Sequence, residues 1–355
     1  MDIMSLYTKG YEILNQDTIK IFKFTPENID ILHNQTNITK IVLYQYDYEE
    51  DPLSINLPDT IKSIDFKDSC AFNQQLFKLP RDLEVLILHE EYDYPLPNPL
   101  PVNLKYLDLG YRFNHQLPEL PNNLECLIMS NDYAQDLPLF PDTLKKLVIG
   151  NDFSDFNKSI LSLPSSLLEF KIGDTYGCYP LPEPLPPNLQ KLTLGKEYNH
   201  PLSNNLPDTL QELYLPIHYN QRLPDSMPIN LKHLSIGCLY SYELDNLPQG
   251  LDILSIIGIA RGGNYNYDGV YHYHGILSNL PNTLKNLQIY NDVNNSLDML
   301  PESIEKLSIR HYTRKINKLP LNLKDIMVNK DYKYVDDLKL LKPIEDYEKI
   351  KDLDI

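Results

Sequence analysis

Leu-Pro-x-x-Leu recurs along this chain at a nearly constant step, and that recurrence limits the fold more than any other feature. The copies begin at Leu57, Leu79, Leu100, Leu120, Phe140, Leu163, Leu185, Leu206, Met227, Leu247, Leu280, Leu300 and Leu319, thirteen in all. Successive starts lie 19 to 23 residues apart, except for one step of 33 between Leu247 and Leu280. Self-similarity at such a period marks a solenoid, because one coil cannot bury its apolar face alone and stacked neighbours can. The 28 prolines, if scattered, would break helices and central strands. Held at one phase, they mark the same corner of every coil.

Each motif leads into a short alternating run. In Leu104-Lys105-Tyr106-Leu107-Asp108-Leu109 the last three residues alternate with period two, as a strand with one buried face does. Glycine often follows, at 110, 150, 173, 195 and 237, where it permits a sharp turn. A coil of about 21 residues has no room for a full helix opposite the strand. Extended or 3₁₀ segments are expected there.

A second signature precedes most Leu-Pro copies: an aromatic residue, often followed by Asn, four positions before an aliphatic one, with the ring lost at Val293 and both ring and Asn lost at Gly177. Phe72-Asn73, Phe113-Asn114, Phe156-Asn157, Tyr198-Asn199 and Tyr219-Asn220 follow it, and Tyr92, Tyr133, Tyr240, Tyr273 and Tyr312 keep the ring without the Asn. Rings at one phase predict a stacked aromatic spine in the core. The adjacent Asn is expected to hydrogen-bond the backbone of its turn.

The complete unit, aromatic-Asn-x-x-Leu…Leu-Pro-x-x-Leu-x-x-Leu-x-Leu-Gly, resembles the FNIP repeat, a relative of the leucine-rich repeat abundant in social amoebae and in large DNA viruses that infect them. The resemblance covers residues 37–328. It implies a β-rich solenoid with one parallel sheet on a concave face, short irregular or 3₁₀ convex segments and helical caps. Many relatives place an F-box before the repeats, but residues 1–34 are too short for that module. The Leu-Pro-x-x-Leu phase also resembles the short repeats of bacterial effectors, which carry Asn where this chain has Gly after the strand.

Three regions follow: an N-terminal cap at 1–36, about fourteen repeats at 37–328 with an insertion at 258–274, and a C-terminal cap at 329–355. Asn37–Leu43 reads as a degenerate first coil. Thr25-Pro26-Glu27 predicts a helix start, with Thr as N-cap, Pro at the first position and an acid in the first turn. Val335–Leu341 predicts a short helix closing the last coil.

The formal charge of −17 disfavours nucleic acid as a ligand and favours a basic protein partner. No apolar run approaches the ~20 residues needed to span a bilayer. The first residues carry Asp2 and Lys9 and no signal-like apolar core, so the expected state is a cytoplasmic monomer, in the host cytoplasm if the source is viral. Cys70, Cys126, Cys178 and Cys238 are too dispersed for a zinc site or a disulfide framework. His272-Tyr273-His274 lacks a third ligand nearby. No phosphate-binding glycine loop, metalloprotease helix or nucleophile elbow is present, so no cofactor is expected.

These observations point to a non-enzymatic protein-interaction scaffold. Its partner would meet the residues flanking the middle of each strand, among them Tyr106, Asp108, Lys146, Lys171, Lys191, Tyr214 and His233. The tyrosine-rich insertion, with Arg261, Tyr265, Tyr267, Tyr271 and Tyr273, has the composition of a recognition loop. Two alternatives are a substrate adaptor for a ubiquitin ligase and a carbohydrate-active parallel β-helix. The latter requires three sheets around each coil.

Overall fold

A computed structural model describes residues 10–22, 25–44, 55–66, 72–150, 163–174, 180–258, 273, 277, 279–290, 296–329 and 332–341. The chain divides into two compact units, Met1–Gly173 and Asp174–Ile355.

Among the described residues of the first unit nine strands follow one another in sequence order: β1 (Tyr11–Ile13), β2 (Thr18–Ile21), β3 (Lys40–Leu43), β4 (Ser63–Asp65), β5 (Val85–Ile87), β6 (Tyr106–Asp108), β7 (Cys126–Ile128), β8 (Lys146–Val148) and β9 (Glu169–Lys171). β1 and β2 form an antiparallel hairpin, and every later neighbour pairs in parallel. The sheet edge at this end is thus a hairpin, with a helix, α1 (Pro26–Asn34), inserted between β2 and β3. Thr25 caps that helix as expected, its hydroxyl accepting the Asn28 N–H at 3.2 Å.

The second unit holds β10 (Lys191–Thr193), β11 (Glu212–Tyr214), β12 (His233–Gly237), β13 (Ile253–Ile257), β14 (Asn286–Ile289), β15 (Lys306–Ile309) and β16 (Asp325–Val328). All six neighbouring pairs are parallel. A helix, α2 (Val335–Leu341), follows, with Leu338 fully buried. Among the described residues, each repeat coil contributes one strand to one sheet, which is the leucine-rich-repeat plan and not the three-sheet plan of a β-helix. No helix of the described residues is long and apolar enough to cross a membrane.

The repeat motif explains each coil. In all thirteen copies the N–H three residues after the proline returns to the proline carbonyl, as in Leu104 to Pro101 at 3.1 Å and Leu210 to Pro207 at 3.0 Å. Pro-x-x-Leu is therefore a β-turn that delivers the chain into the strand. The described residues opposite the strands are turns and extended segments, without a 3₁₀ helix. Within the strand the central residue is buried and its neighbours face out, a pattern seen in β4 to β8, β10 and β11. Leu104, Leu107 and Leu109 are fully buried, as are their counterparts Leu210 and Leu213.

The rings form the expected spine within each unit. Phe72, Tyr92, Phe113 and Tyr133 stack at centroid distances of 6.0, 6.2 and 6.3 Å with interplanar angles of 7° or less. Tyr198, Tyr219 and Tyr240 stack at 6.5 Å. Tyr312 hands the stack on to Tyr332, a residue outside the repeat. Tyr273, read from the sequence both as a spine residue and as part of a recognition loop, is fully buried and belongs to the core.

Two expectations are corrected. The Asn beside the ring does not serve its own turn. Asn73 accepts the Asp93 N–H, Asn114 the Ala134 N–H and Asn199 the Asn220 N–H, each about one coil further on, at 2.8–2.9 Å. The glycines after the strands answer less to turning than to crowding. Gly110 alone of those five has a positive φ, +73°. At Gly150 and Gly237 a Cβ would collide with the backbone of Ser130 and Ile217 in the preceding coil.

Candidate functional site

The outward face of the strands is where the repeat stops dictating side chains. Two columns project from it, one on each side of the buried central residue, and most of their members are half-buried. The parallel register aligns Ser63, Val85, Tyr106, Cys126, Lys146 and Glu169 in one column of the first unit, and Asp65, Ile87, Asp108, Ile128, Val148 and Lys171 in the other. The centre is apolar: Val85, Ile87 and Ile128 lie on the strands on either side of Tyr106, and Val148 one strand further. Burial, and after it the charges of Asp108 and Asp65, push the Tyr106 hydroxyl up to about 12. Burial likewise pushes the Cys126 thiol up to about 11, which makes it a poor nucleophile at neutral pH.

An ion ladder borders this strip one position before the strands. Glu84 takes both Lys105, at 2.7 Å, and Lys62, at 3.0 Å, and Glu125 takes Lys145 at 2.8 Å. Hydrogen bonds from those lysines hold both carboxyls below the usual glutamate range. The predicted contact residue Lys146 is engaged by Glu169 at 3.0 Å. Lys171 stands exposed at the end of β9.

In the second unit the predicted residues Lys191, Tyr214 and His233 come together. Lys191 Nζ lies 3.0 Å from Glu212 Oε2 and 5.1 Å from the Tyr214 ring centroid. The Tyr214 hydroxyl donates to Glu212 at 3.0 Å and lies 3.1 Å from His233 Nδ1. His233 Nε2 is 3.2 Å from Ser255 Oγ, which donates to Gln288 Oε1. Tyr290 also donates to Gln288, and the Arg310 guanidinium sits 4.7 Å over the Tyr290 ring. One polar track thus crosses β10 to β15. Burial, assisted by the Lys191 charge, lowers the His233 pKa against the opposing pull of Glu212. Burial would raise Glu212, but its bonds from Lys191 and Tyr214 outweigh that and hold it low.

Ser255, Gln288, Tyr290 and Arg310 were missed from the sequence. They share the alternation of the predicted residues, so following the same columns past the 33-residue step would have found them. Arg261, Tyr265, Tyr267, Tyr271 and the His272/His274 pair lie outside the described residues. No cluster of three or more metal-ligating side chains occurs among the described residues.

A single-sheet solenoid of Leu-rich coils with an outward strand face defines a leucine-rich-repeat-like scaffold. Residues 92–132 and 180–216 match the FNIP Repeat family. In fold it is similar to the crystal structure of CroV588, described as a novel circular LRR protein, with 22% identity and a TM-score of 0.56. That likeness covers 91% of this chain but 61% of the CroV588 chain, so this chain spans under two thirds of that protein's length. YopM from Yersinia enterocolitica WA-314 also matches, at 21% identity and a TM-score of 0.49, over 87% of this chain and 71% of that one. No curated protein matches.

Proposed function

We propose that the protein is a non-enzymatic interaction scaffold that binds a partner protein on the outward strand faces. The observation that carries this reading is the contrast within each coil. Core columns repeat Leu, Pro and an aromatic ring, whereas the strand-face columns bring half-buried aliphatic, aromatic and charged side chains together over adjacent strands. Such a mixture, with rings and Arg among apolar residues, suits a protein partner. The acidic balance favours a partner with basic character. A role as ubiquitin-ligase adaptor has no particular feature of this structure in its favour.

A photo-crosslinking residue placed at Tyr214 or Val148 tests the reading against the same residue at Val102 or Ile229, which are exposed beside the Pro-x-x-Leu turns. Covalent adducts to a partner should form from the strand face only. Equal labelling from both positions would refute it. Deleting residues 259–272 in the same assay separates the insertion from the face: recovery that survives the deletion assigns binding to the strands.

A further inference from the structure

Several rings on the strand faces already carry a cation supplied by the chain itself. Lys20 Nζ lies 4.1 Å from the Tyr44 centroid, Lys191 Nζ 5.1 Å from Tyr214, and Arg310 sits 4.7 Å over Tyr290. At Tyr214 the arrangement is complete, because the cation also meets the carboxylate of Glu212 at 3.0 Å. Tyr106 lies on the same kind of surface. Among the described residues its ring has no stacking or cation contact and its hydroxyl makes no hydrogen bond. The lysines near it are engaged elsewhere: Lys62 and Lys105 with Glu84, Lys145 with Glu125, Lys146 with Glu169.

The surroundings of Tyr106 are negative and apolar together. Asp108 lies on its own strand and Asp65 two strands away, and both charges act on its hydroxyl. Asp108 is held in place by accepting the Gly110 N–H at 3.0 Å. Between and beyond these acids stand Val85, Ile87, Ile128 and Val148. A cation over a tyrosine face gains electrostatic attraction from the ring, more so when partly desolvated. Aliphatic neighbours accept the stem of a long cationic side chain. Five strands at about 4.8 Å span roughly 20 Å, the length of about six extended residues.

We propose that this face of the first unit docks a segment of a partner protein presenting one lysine or arginine among aliphatic side chains, with the cation over the Tyr106 ring between Asp65 and Asp108. The proposal rests on the scaffold reading above and names the chemistry of its partner. Charge complementarity selects the occupant: the lysines bordering the strip are engaged by glutamates, and the charges of Asp65 and Asp108 both bear on the ring. A nucleic acid would bring phosphates against them.

The probe is a bead-displayed random library of twelve-residue peptides, presented to the full-length protein. Bound sequences are expected to share one Lys or Arg flanked by Leu, Ile or Val. Resynthesised, they should bind at least ten-fold more weakly when norleucine replaces the cation. The same loss is expected for Tyr106→Leu and for the Asp65→Asn/Asp108→Asn double variant, which retains the Oδ1 acceptor for Gly110. Val102→Ser, at a residue exposed in a Pro-x-x-Leu turn away from the strand face, should leave binding unchanged, and unfolding midpoints establish that each variant is folded. Binders without a shared cation, or binders indifferent to Tyr106→Leu, overturn the proposal. Binders lost with Tyr214→Leu instead overturn it while leaving the scaffold reading intact, and a library that yields no strand-face binder counts against both. Self-association abolished by Tyr106→Leu, read by sedimentation, overturns it in favour of a second copy as the occupant.

Discussion

The side-chain Oδ1 of Asn114 accepts the backbone N–H of Ala134, one coil further on, at 2.8 Å. The Asn114 N–H is in turn bound by Asp93 Oδ1 at 2.9 Å, and the Asp93 N–H by Asn73 Oδ1. The side chains thus form a ladder that continues backbone pairing where no strand exists. Asn114→Ala removes one rung and should lower stability by about 1 kcal/mol, the net worth of one hydrogen bond. Asn114→Asp should be nearly silent, because Asp93 already does this work one coil earlier. Denaturant midpoints at unchanged slope measure both; equal losses for the two substitutions would sink the ladder account.

The spine tyrosines are not interchangeable with phenylalanine, and the asymmetry lies in what each hydroxyl serves. The Tyr240 hydroxyl accepts the Leu223 N–H, a buried pair. The Tyr273 hydroxyl is buried and has no hydrogen-bond partner among the described residues. Tyr240→Phe should therefore cost about 1–3 kcal/mol, the penalty of stranding a buried donor. Tyr273→Phe strands nothing and should cost under about 1 kcal/mol. Thermal unfolding of the two variants side by side decides it, and a larger loss for Tyr273→Phe contradicts the argument.

Much of the fold is legible because one coil encodes it. Leu-Pro-x-x-Leu-x-x-Leu defines both the turn and the strand, so the motif alone puts Leu107 and Leu127 at strand centres. What stays hidden belongs to contacts between coils. Nothing in a single unit says that Lys146 meets Glu169 or that Asn114 bonds Ala134, since both follow from the register of segments about twenty residues apart. Tyr273 misleads for a related reason: composition around it resembles a recognition loop, while its phase in the repeat buries it. The antiparallel β1–β2 hairpin lies outside the repeat and leaves no periodic signal at all.

Close packing of successive coils makes a strand-end glycine, Gly150, unequal to Gly250 of a Pro-x-x-Leu turn. At Gly150 a Cβ would overlap the Ser130 carbonyl, a backbone atom that cannot swing aside. At Gly250 the nearest atoms are the Ile229 carbonyl oxygen at 3.3 Å and the flexible Lys232 ammonium at 3.4 Å. Gly150→Ala should then cost several kcal/mol, at the upper end of overpacking, which is typically about 1–3 kcal/mol. Gly250→Ala should be tolerated within about 1 kcal/mol, helped by the lower entropy of the unfolded chain. Comparable unfolding midpoints for the two variants would show that the coils can separate to admit a methyl group.

His233 should impose a pH dependence on the second unit. Its ring is wedged between the Tyr214 hydroxyl and Ser255, with Lys191 and Glu212 as the charged groups acting on it from β10 and β11. Burial lowers its folded-state pKa below the unfolded value of 6.5. Between the two values the unfolded chain binds the proton and the folded chain does not, so stability falls as pH drops through 6.5 and levels off below the folded pKa. His89 in the first unit shifts in the same direction through its own burial and adds to the slope. Glu84, Glu125 and Glu305, whose pKa values are lowered by their lysine partners, lose their contribution only below 4.5, in a separate window. His233→Gln should keep a polar group in the wedge while flattening part of the slope between pH 7 and 5. Unfolding midpoints taken across that range for both proteins provide the measurement. Parallel curves would mean that the His233 proton is held equally in the folded and unfolded chain, and that the Tyr214–His233–Ser255 track leaves its basicity unchanged.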